Sequence, residues 1–427
     1  MRGRWWPWLL LLLALIPALL ISPPRVAENI ASPRENVSVA IFGNPNMLDP
    51  ALASTGSDWT IDSNVFEPLF RIAEYGGIVS NLVQHYSISG KQLTLEIKPL
   101  PLDNGQQLTA SVVAGALARP LWPSVGSSQA QSLLNSVVGV RAVIAGKEQY
   151  LSGIAVTGTS TLTITLTHAI GRGFLRTLAN PVLSIVPVAD QVRGGSDWQF
   201  LNLYGTGGYQ LSTWQPGGEL TFLKTHGPGP GTVALVVYKS FKKAVLSFRN
   251  GAISALPVNP AQLTQVPGSL LKQVRALPMP GNLFLVYRSH APRVSVYPLL
   301  SPRRWVTTSF RGRVPALAGG WPGHMPMGKP MTVYVNQDLP QAVQLAQTLA
   351  KLEPKRVTVQ EVNLSTLTSL AKNNQIAAYI GQADLFKSGT MMPLAPIRSL
   401  WLASPVFARM GVYANGALKW HSLTVNK

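Results

Sequence analysis

Residues 331–380 constrain the fold more than any other part of the chain, because the hydrophobic period switches four times within them. Residues 331–335 alternate as a strand. Residues 339–352 then place Val343, Leu345, Ala346, Leu349 and Leu352 on an apolar stripe at helical spacing. Residues 357–362 return to the strand period, 365–372 to the helical one, and 377–380 to a strand. Parallel strands need a long crossover, and helices of this length supply it. The run therefore predicts an α/β lobe of β-α-β-α-β order.

The rest of the chain carries shorter signals. Alternation predicts strands at 37–42, 93–97, 162–166, 220–224, 232–238 and 283–287, with turn clusters at 44–50 and 227–231. Helices are expected at 61–72, at 109–118 with Thr109 as N-cap, at 173–178, and at 241–249 closed by Asn250-Gly251. A helical turn is expected at 260–266. Residues 290–330 show only a weak pattern. No internal repeat is present. The 46% hydrophobic content of 427 residues suffices for two or more cores.

The N-terminus begins with Arg2, Arg4, Trp5, Trp6 and Trp8 and continues almost purely aliphatic to Ile21. A positive start before a short apolar run marks an export signal. The apolar stretch over residues 5–21 is also close to the shortest that spans a bilayer. No small-x-small cleavage site follows. Residues 1–22 are thus a signal peptide or a membrane anchor that would place the chain against the membrane surface, and residues 23–36 read as a linker.

Chemistry is sparse. Cysteine is absent, which excludes disulfides, thiolate metal sites and a cysteine nucleophile. The histidines at 85, 168, 226, 290, 324 and 421 lack metal-ligand spacing; only His324, beside Met325 and Met327, hints at a soft-metal site. No nucleophile elbow, phosphate loop or dinucleotide fingerprint occurs, and the carboxylates form no evident acid-base pair. The expectation is a protein that is not an enzyme and takes no cofactor. The net charge is +19. Its densest clusters are Lys239, Lys242, Lys243 and Arg303, Arg304, Arg311, Arg313, and neither sits in a recognisable nucleic-acid module, so no nucleic-acid partner is expected. Attraction to anionic lipid or wall polymers and adaptation to an acidic exterior remain as compatible readings.

Several motifs carry a family resemblance. They are Leu48-Asp49-Pro50; Asn64-Val65-Phe66-Glu67-Pro68-Leu69; Asp103-Asn104-Gly105-Gln106 followed by a helix start in which Ser111 and Val112 replace an acidic pair; and Gly205-Thr206-Gly207-Gly208-Tyr209 with Trp214 and Pro216-Gly217. Residues 248–260, with Ser254 in place of an aspartate, the stretch 346–361 and residues 413–420 add weaker matches. Together they resemble the family 5 extracellular solute-binding proteins of ABC importers, the oligopeptide-, dipeptide- and nickel-binding class. The resemblance implies an α/β fold of the two-lobed, periplasmic-binding-protein type II class. Its lobe I would combine 37–52, 180–285 and 395–427; residues 53–179 would be an inserted subdomain, and 286–394 a shortened lobe II. Residues 413–420 would form a terminal strand returning to lobe I.

The implied function is that of a monomeric extracytoplasmic solute-binding subunit. It would close on a small ligand, foremost a peptide, and deliver it to ABC permease and ATPase subunits. The alternative is a degenerate surface interaction or sensory protein with no transport role. The lipid-modified cysteine that tethers many Gram-positive members is missing, and an uncleaved N-terminal helix would replace it. Asp384, in Gly381-Gln382-Ala383-Asp384, stands where family members pair an aspartate with the ligand's α-ammonium. Ser57, Asp58 and Trp59 fall near the family's cleft. Tyr209 and Trp214 are expected in the core of the hairpin, and Trp305 and Trp321 either floor the cleft or pack at the surface.

Overall fold

The computed structural model describes residues 36–45, 48–73, 76–171, 173–187, 204–288, 302–317, 330–383, 385–386 and 389–425. Strand β1 (Asn36–Phe42) is buried on both faces, Val37, Val39 and Ile41 in one core and Ala40 in another, and helix α1 (Gly56–Val65) follows it. Thr55 starts that helix. Its hydroxyl accepts from Asp58 N–H while the Asp58 carboxylate accepts from Thr55 N–H, a reciprocal capping box. The helix expected over 61–72 is corrected: the box sets the start earlier, Phe66 leaves the helix in extended conformation ahead of Pro68, and Phe70–Ile72 is a strand, β2, paired with β3 (Ile78–Ser80).

A smaller body follows with its own core. Strands β4 (Val83–Ser89), β5 (Gln92–Ile97), β6 (Ile154–Val156) and β7 (Thr161–Thr165) form a sheet in the order β4-β5-β7-β6. Helices α2 (Ala110–Ala118), α3 (Ser128–Leu134), α4 (Val140–Ile144) and α5 (Gly173–Thr177) join it around Leu93, Leu95, Val113, Leu117, Leu162 and Ile164. Thr109 caps α2 as expected, accepting from Val112 N–H.

Nine further strands join β1 in one ten-stranded mixed sheet. They are β8 (Tyr209–Trp214), β9 (Glu219–Lys224), β10 (Thr232–Tyr238), β11 (Ala255–Pro257), β12 (Val274–Arg288), β13 (Met331–Asn336), β14 (Val357–Val362), β15 (Ala378–Gly381) and β16 (Gly389–Ala403). With β1, their order is β14-β13-β15-β12-β16-β11-β1-β10-β9-β8. At one end, β13, β14 and β15 are parallel, joined by α8 (Pro340–Leu352) and α9 (Leu364–Lys372), which is the β-α-β-α-β lobe read from the sequence. At the other end, β1 runs parallel to β10, with Asn36 opposite Thr232.

The two lobes of this α/β fold are joined by the long antiparallel pair β12 and β16. Pro278 pairs with Arg398 and Asn282 with Pro396, so three residues of β12 face a single residue of β16. The bulge and the prolines break the ladder midway between the lobes, as a hinge requires.

One face of the sheet carries a helical layer: α6 (Phe241–Arg249), the 3-10 turns Pro260–Gln265 and Gly268–Gln273, α7 (Pro302–Ser309) and α8. Helix α7 lies in the stretch that the sequence left without a pattern, and Trp305 on it is fully buried in this core, donating from Nε1 to Leu345 O at 2.9 Å. The opposite face packs on α1 and the C-terminal segment. There residues 413–420 are not the expected strand: a single bridge, Val412 with Leu418, precedes a 3-10 turn at Trp420–Ser422, and β17 (Phe407–Arg409) pairs with β18 (Thr424–Val425). The segment packs onto this face of the sheet, with Trp420 buried against Tyr209 and Phe222 at ring-centroid distances of 5.2 and 4.9 Å. Tyr209 and Trp214 sit in that core, as expected of the hairpin. Among the described residues no helix is long and apolar enough to cross a membrane; residues 1–35 lie outside them.

Candidate functional site

A cavity of about 600 Å³ lies where the two lobes meet the hinge strands. That volume falls in the range of small-molecule sites. Seven segments of the described residues wall it: the end of β1, the first turn of α1, residues 257–262, β12 at Met279 and Leu283, the start of α8, β16, and the loop at 415–417.

Each wall is held by a local device. The Ser57 hydroxyl donates to Phe42 O and Gly43 O, both at 3.0 Å, which fixes the first turn of α1 against the end of β1. Across the cavity, Gln341 in the first turn of α8 grips the hinge. Its Nε2 donates to Arg398 O at 2.7 Å, and its Oε1 accepts from Arg398 N–H at 3.0 Å. Asn259 caps the turn at 260–265, and Asn415 Nδ2 donates to Ser63 Oγ at 3.0 Å, tying the C-terminal loop to α1.

The chemistry of the walls is mostly apolar, with Trp59, Met279, Leu283, Ile397, Leu400 and Trp401 prominent. Among the described lining residues, charge is limited to Asp338 at the exposed rim and Arg398. The Arg398 Nε is buried without a hydrogen-bond partner, and no ion pair of the described residues includes this side chain. The positive end of the α8 dipole borders the same space. The site can therefore hold a mostly apolar molecule and neutralise one negative group on it.

Of the residues expected from sequence, Ser57 and Trp59 line the cavity. Asp58 does not: fully buried, it accepts from Ser54 and Thr55 N–H, and its place is the helix cap. Asp384, Trp321 and His324 with its neighbouring methionines lie outside the described residues. Among the described residues no cluster of His, Cys, Asp or Glu could hold a metal ion. The sequence gives no sign of Asn259, Gln262, Gln341, Arg398 or Asn415, since no local motif holds them and only the fold brings them together.

Behind α1, away from the cavity, lies a buried charged cluster. Asp49, from the Leu48-Asp49-Pro50 turn, takes both terminal nitrogens of Arg119, with Nη1 at 2.9 Å from Oδ2. Asp62 is fully buried beside them, and neither of its carboxyl oxygens has a hydrogen-bond partner. Burial pushes the Asp62 carboxyl well above the usual range; the charges of Asp49 and Asp58 add to this, and Arg119 opposes it.

A raised carboxyl contributes its stability below the unfolded value near 3.8 and loses it as pH climbs through the folded value. His421 acts in the opposite sense. Burial lowers it from 6.5 to about 4, so its share is complete above 6.5 and lost as pH falls toward 4. An Asp62→Asn variant isolates the first effect. Its stability relative to the wild type is expected to rise as pH climbs above 4 in urea unfolding, and a pH-independent difference would contradict the assignment.

Comparison with known proteins fits this architecture. Residues 51–300 match the family described as Bacterial extracellular solute-binding proteins, family 5 Middle. No curated protein matches the sequence. The unliganded open form of MppA, a periplasmic murein tripeptide binding protein, superposes with a TM-score of 0.67 at 14% identity, over 92% of this chain and 98% of that one. NikA from Brucella suis in complex with Fe(III)-EDTA gives 0.65 at 13% identity, over 92% and 100%. Peptide-bound OppA from Listeria monocytogenes gives 0.59 at 11% identity, over 93% and 100%.

Proposed function

This chain belongs to the bacterial extracellular solute-binding proteins of family 5, and we propose that it binds a short peptide in the interlobe cavity and hands it to an ABC permease. The carrying observation is the composition of the described walls: apolar surface, dispersed amide and hydroxyl groups, one acidic rim residue and one guanidinium whose buried Nε has no hydrogen-bond partner. A short peptide offers the complement, with apolar side chains, backbone amides and two opposite termini. Arg398 takes the carboxylate and Asp338 attracts the ammonium. Closure about the bulge in β12 and β16 would then bury the ligand. In this reading the protein acts outside the cytoplasm, and residues 1–22 serve as its export signal or its tether.

A thermal-shift screen with di- to pentapeptides, free amino acids, sugars and Ni²⁺ tests the reading. A ligand at one hundred times its Kd adds about 2.7 kcal/mol to stability, enough to move the melting temperature visibly. A shift with peptides alone supports the proposal, and a shift with none of these solutes overturns it. For a peptide that does bind, Arg398→Ala is expected to weaken affinity about 10- to 100-fold by calorimetry, the loss of one charge-assisted contact. The effect should vanish when the peptide is C-terminally amidated.

A further inference from the structure

The positive charge of this protein is concentrated in one stretch. Residues 220–337 contain no Asp or Glu and fourteen Lys and Arg residues. In the fold, this stretch supplies most of the helical layer on one face of the large sheet. Helix α8 completes the layer, and neither it, α6, α7 nor either 3-10 turn contains a carboxylate.

The outward side of that layer is basic. On α6, the buried positions Phe241, Ala244, Val245 and Phe248 face the sheet, which turns Lys242, Lys243, Leu246 and Arg249 to solvent. Lys239 before the helix, Lys272 on the second 3-10 turn and Arg303 on α7 are exposed as well. No ion pair of the described residues draws on any of these cations. Leu246 is 47% exposed in the middle of the α6 cluster.

A soluble polyanion does not explain this surface well. Binding of single-stranded nucleic acid relies on aromatic side chains among the cations, and among the described residues the exposed tyrosines, Tyr86 and Tyr150, belong instead to the smaller body. A bilayer surface matches both features present. Its anionic headgroups attract spread lysines and arginines, and its interface rewards an apolar side chain set between them.

We propose that this helical layer seats the protein on an anionic phospholipid surface, with Lys242, Lys243 and Arg249 against headgroup phosphates and Leu246 entering the boundary between them. The seat is independent of what the cavity binds. It would orient the molecule on the membrane whether or not residues 1–22 also anchor it.

The absence of cysteine allows single-site labelling of the full-length chain. A donor dye is placed at Asn250→Cys, exposed at the end of α6, and in a second protein at Thr157→Cys, exposed on the smaller body. Energy transfer to headgroup-labelled lipid is read in vesicles of phosphatidylcholine alone and with 30% phosphatidylglycerol. The N-terminal segment can insert in both vesicle types, so the readout is the difference between sites and lipids. Transfer from position 250 is expected to exceed that from 157 at least fivefold in the anionic vesicles. It should fall to the neutral-vesicle level in 0.5 M NaCl, where charges are screened, and with Lys242→Gln, Lys243→Gln and Arg249→Gln combined. Equal transfer from the two positions, or no dependence on phosphatidylglycerol, overturns the proposal. So does a response of the 250 probe to polyphosphate or DNA but not to vesicles.

Discussion

An Arg119→Met variant is expected to lose about 3–5 kcal/mol of unfolding free energy at neutral pH, the usual cost of removing one partner from a buried ion pair. The reason is the company Arg119 keeps. It is the cation that holds the Asp49 carboxylate through both terminal nitrogens, with side chains 3% exposed on each partner. It also offsets the field at Asp62. Without it, Asp49 is a buried carboxylate with no cation, and Asp62 is harder still to ionise. The pair joins two bodies, since Asp49 follows β1 on the large sheet and Arg119 follows α2 in the smaller body. Unfolding of the smaller body should therefore separate from that of the rest in the variant. The double change Arg119→Met with Asp49→Leu should recover much of the loss, because it removes the uncompensated charge as well. Urea unfolding at pH 7 measures both. A single-variant loss under 1 kcal/mol would mean that the pair is not the joint described.

Gly207→Ala is expected to cost about 3 kcal/mol or more, at the upper end for an overpacked site. A Cβ at Gly207 would lie 2.1 Å from Asn64 O and 2.6 Å from Asn64 C, and one at Gly205 would lie 2.1 Å from Val65 O. These neighbours are backbone at the end of α1, so no flexible side chain can yield. The helix end cannot retreat cheaply either. Asn64 Nδ2 donates to Leu418 O at 2.8 Å, its Oδ1 accepts from Trp420 N–H at 2.9 Å, and Gly207 N–H donates to Val65 O at 3.1 Å. Moving α1 would therefore disturb Trp420 in the lobe I core and the cavity wall at Ser57 and Trp59. Gly268→Ala is the control: its Cβ meets nothing within 4 Å, and stability should stay within about 0.5 kcal/mol of the wild type. Parallel urea titrations decide the matter, and equal losses at both glycines would contradict the close-approach argument.

These two variants also explain what the sequence motifs encode. Leu48-Asp49-Pro50 supplies the carboxylate for Arg119. Asn64 begins the motif that ends in Glu67-Pro68-Leu69, and Gly205-Thr206-Gly207 packs on its backbone. Asp103, from the Asp-Asn-Gly turn, accepts from Gly205 N–H at 3.0 Å and donates its own N–H to Gly205 O at 2.9 Å. Motifs far apart in sequence thus meet at the joint between the smaller body and the large sheet. They are legible because close backbone approach and buried charge tolerate few residue types. The β-α-β-α-β lobe is legible for another reason, since each of its elements carries its own hydrophobic period.

What the sequence hides is equally physical. Strand β12 contains Pro278, Pro280 and Gly281, and β16 contains Pro393 and Pro396, so neither alternates cleanly although both are long and pair on either side of the bulge. The hinge is therefore invisible where the fold most depends on it. The cavity is hidden because its polar residues come singly from separate segments. Arg398 sits within an apolar strand, and Gln341 looks like any solvent-facing glutamine at a helix start until its bidentate contact with β16 is seen. Ser57 and Trp59 are legible only through their distance from the Leu48-Asp49-Pro50 motif, and the same reasoning selects Asp58, which the helix cap claims.

The most direct test of the account is a titration of the full chain with a defined pool of tripeptides, followed by melting temperature, against a Gln262→Trp variant. Gln262 lines the cavity and is half-buried, so the indole would occupy space the ligand needs. The account predicts a concentration-dependent rise in melting temperature for the wild type and none for the variant, each read against its own melting temperature without peptide. An equal rise in both, or no rise in the wild type at millimolar peptide, would contradict the claim that the interlobe cavity is the ligand site.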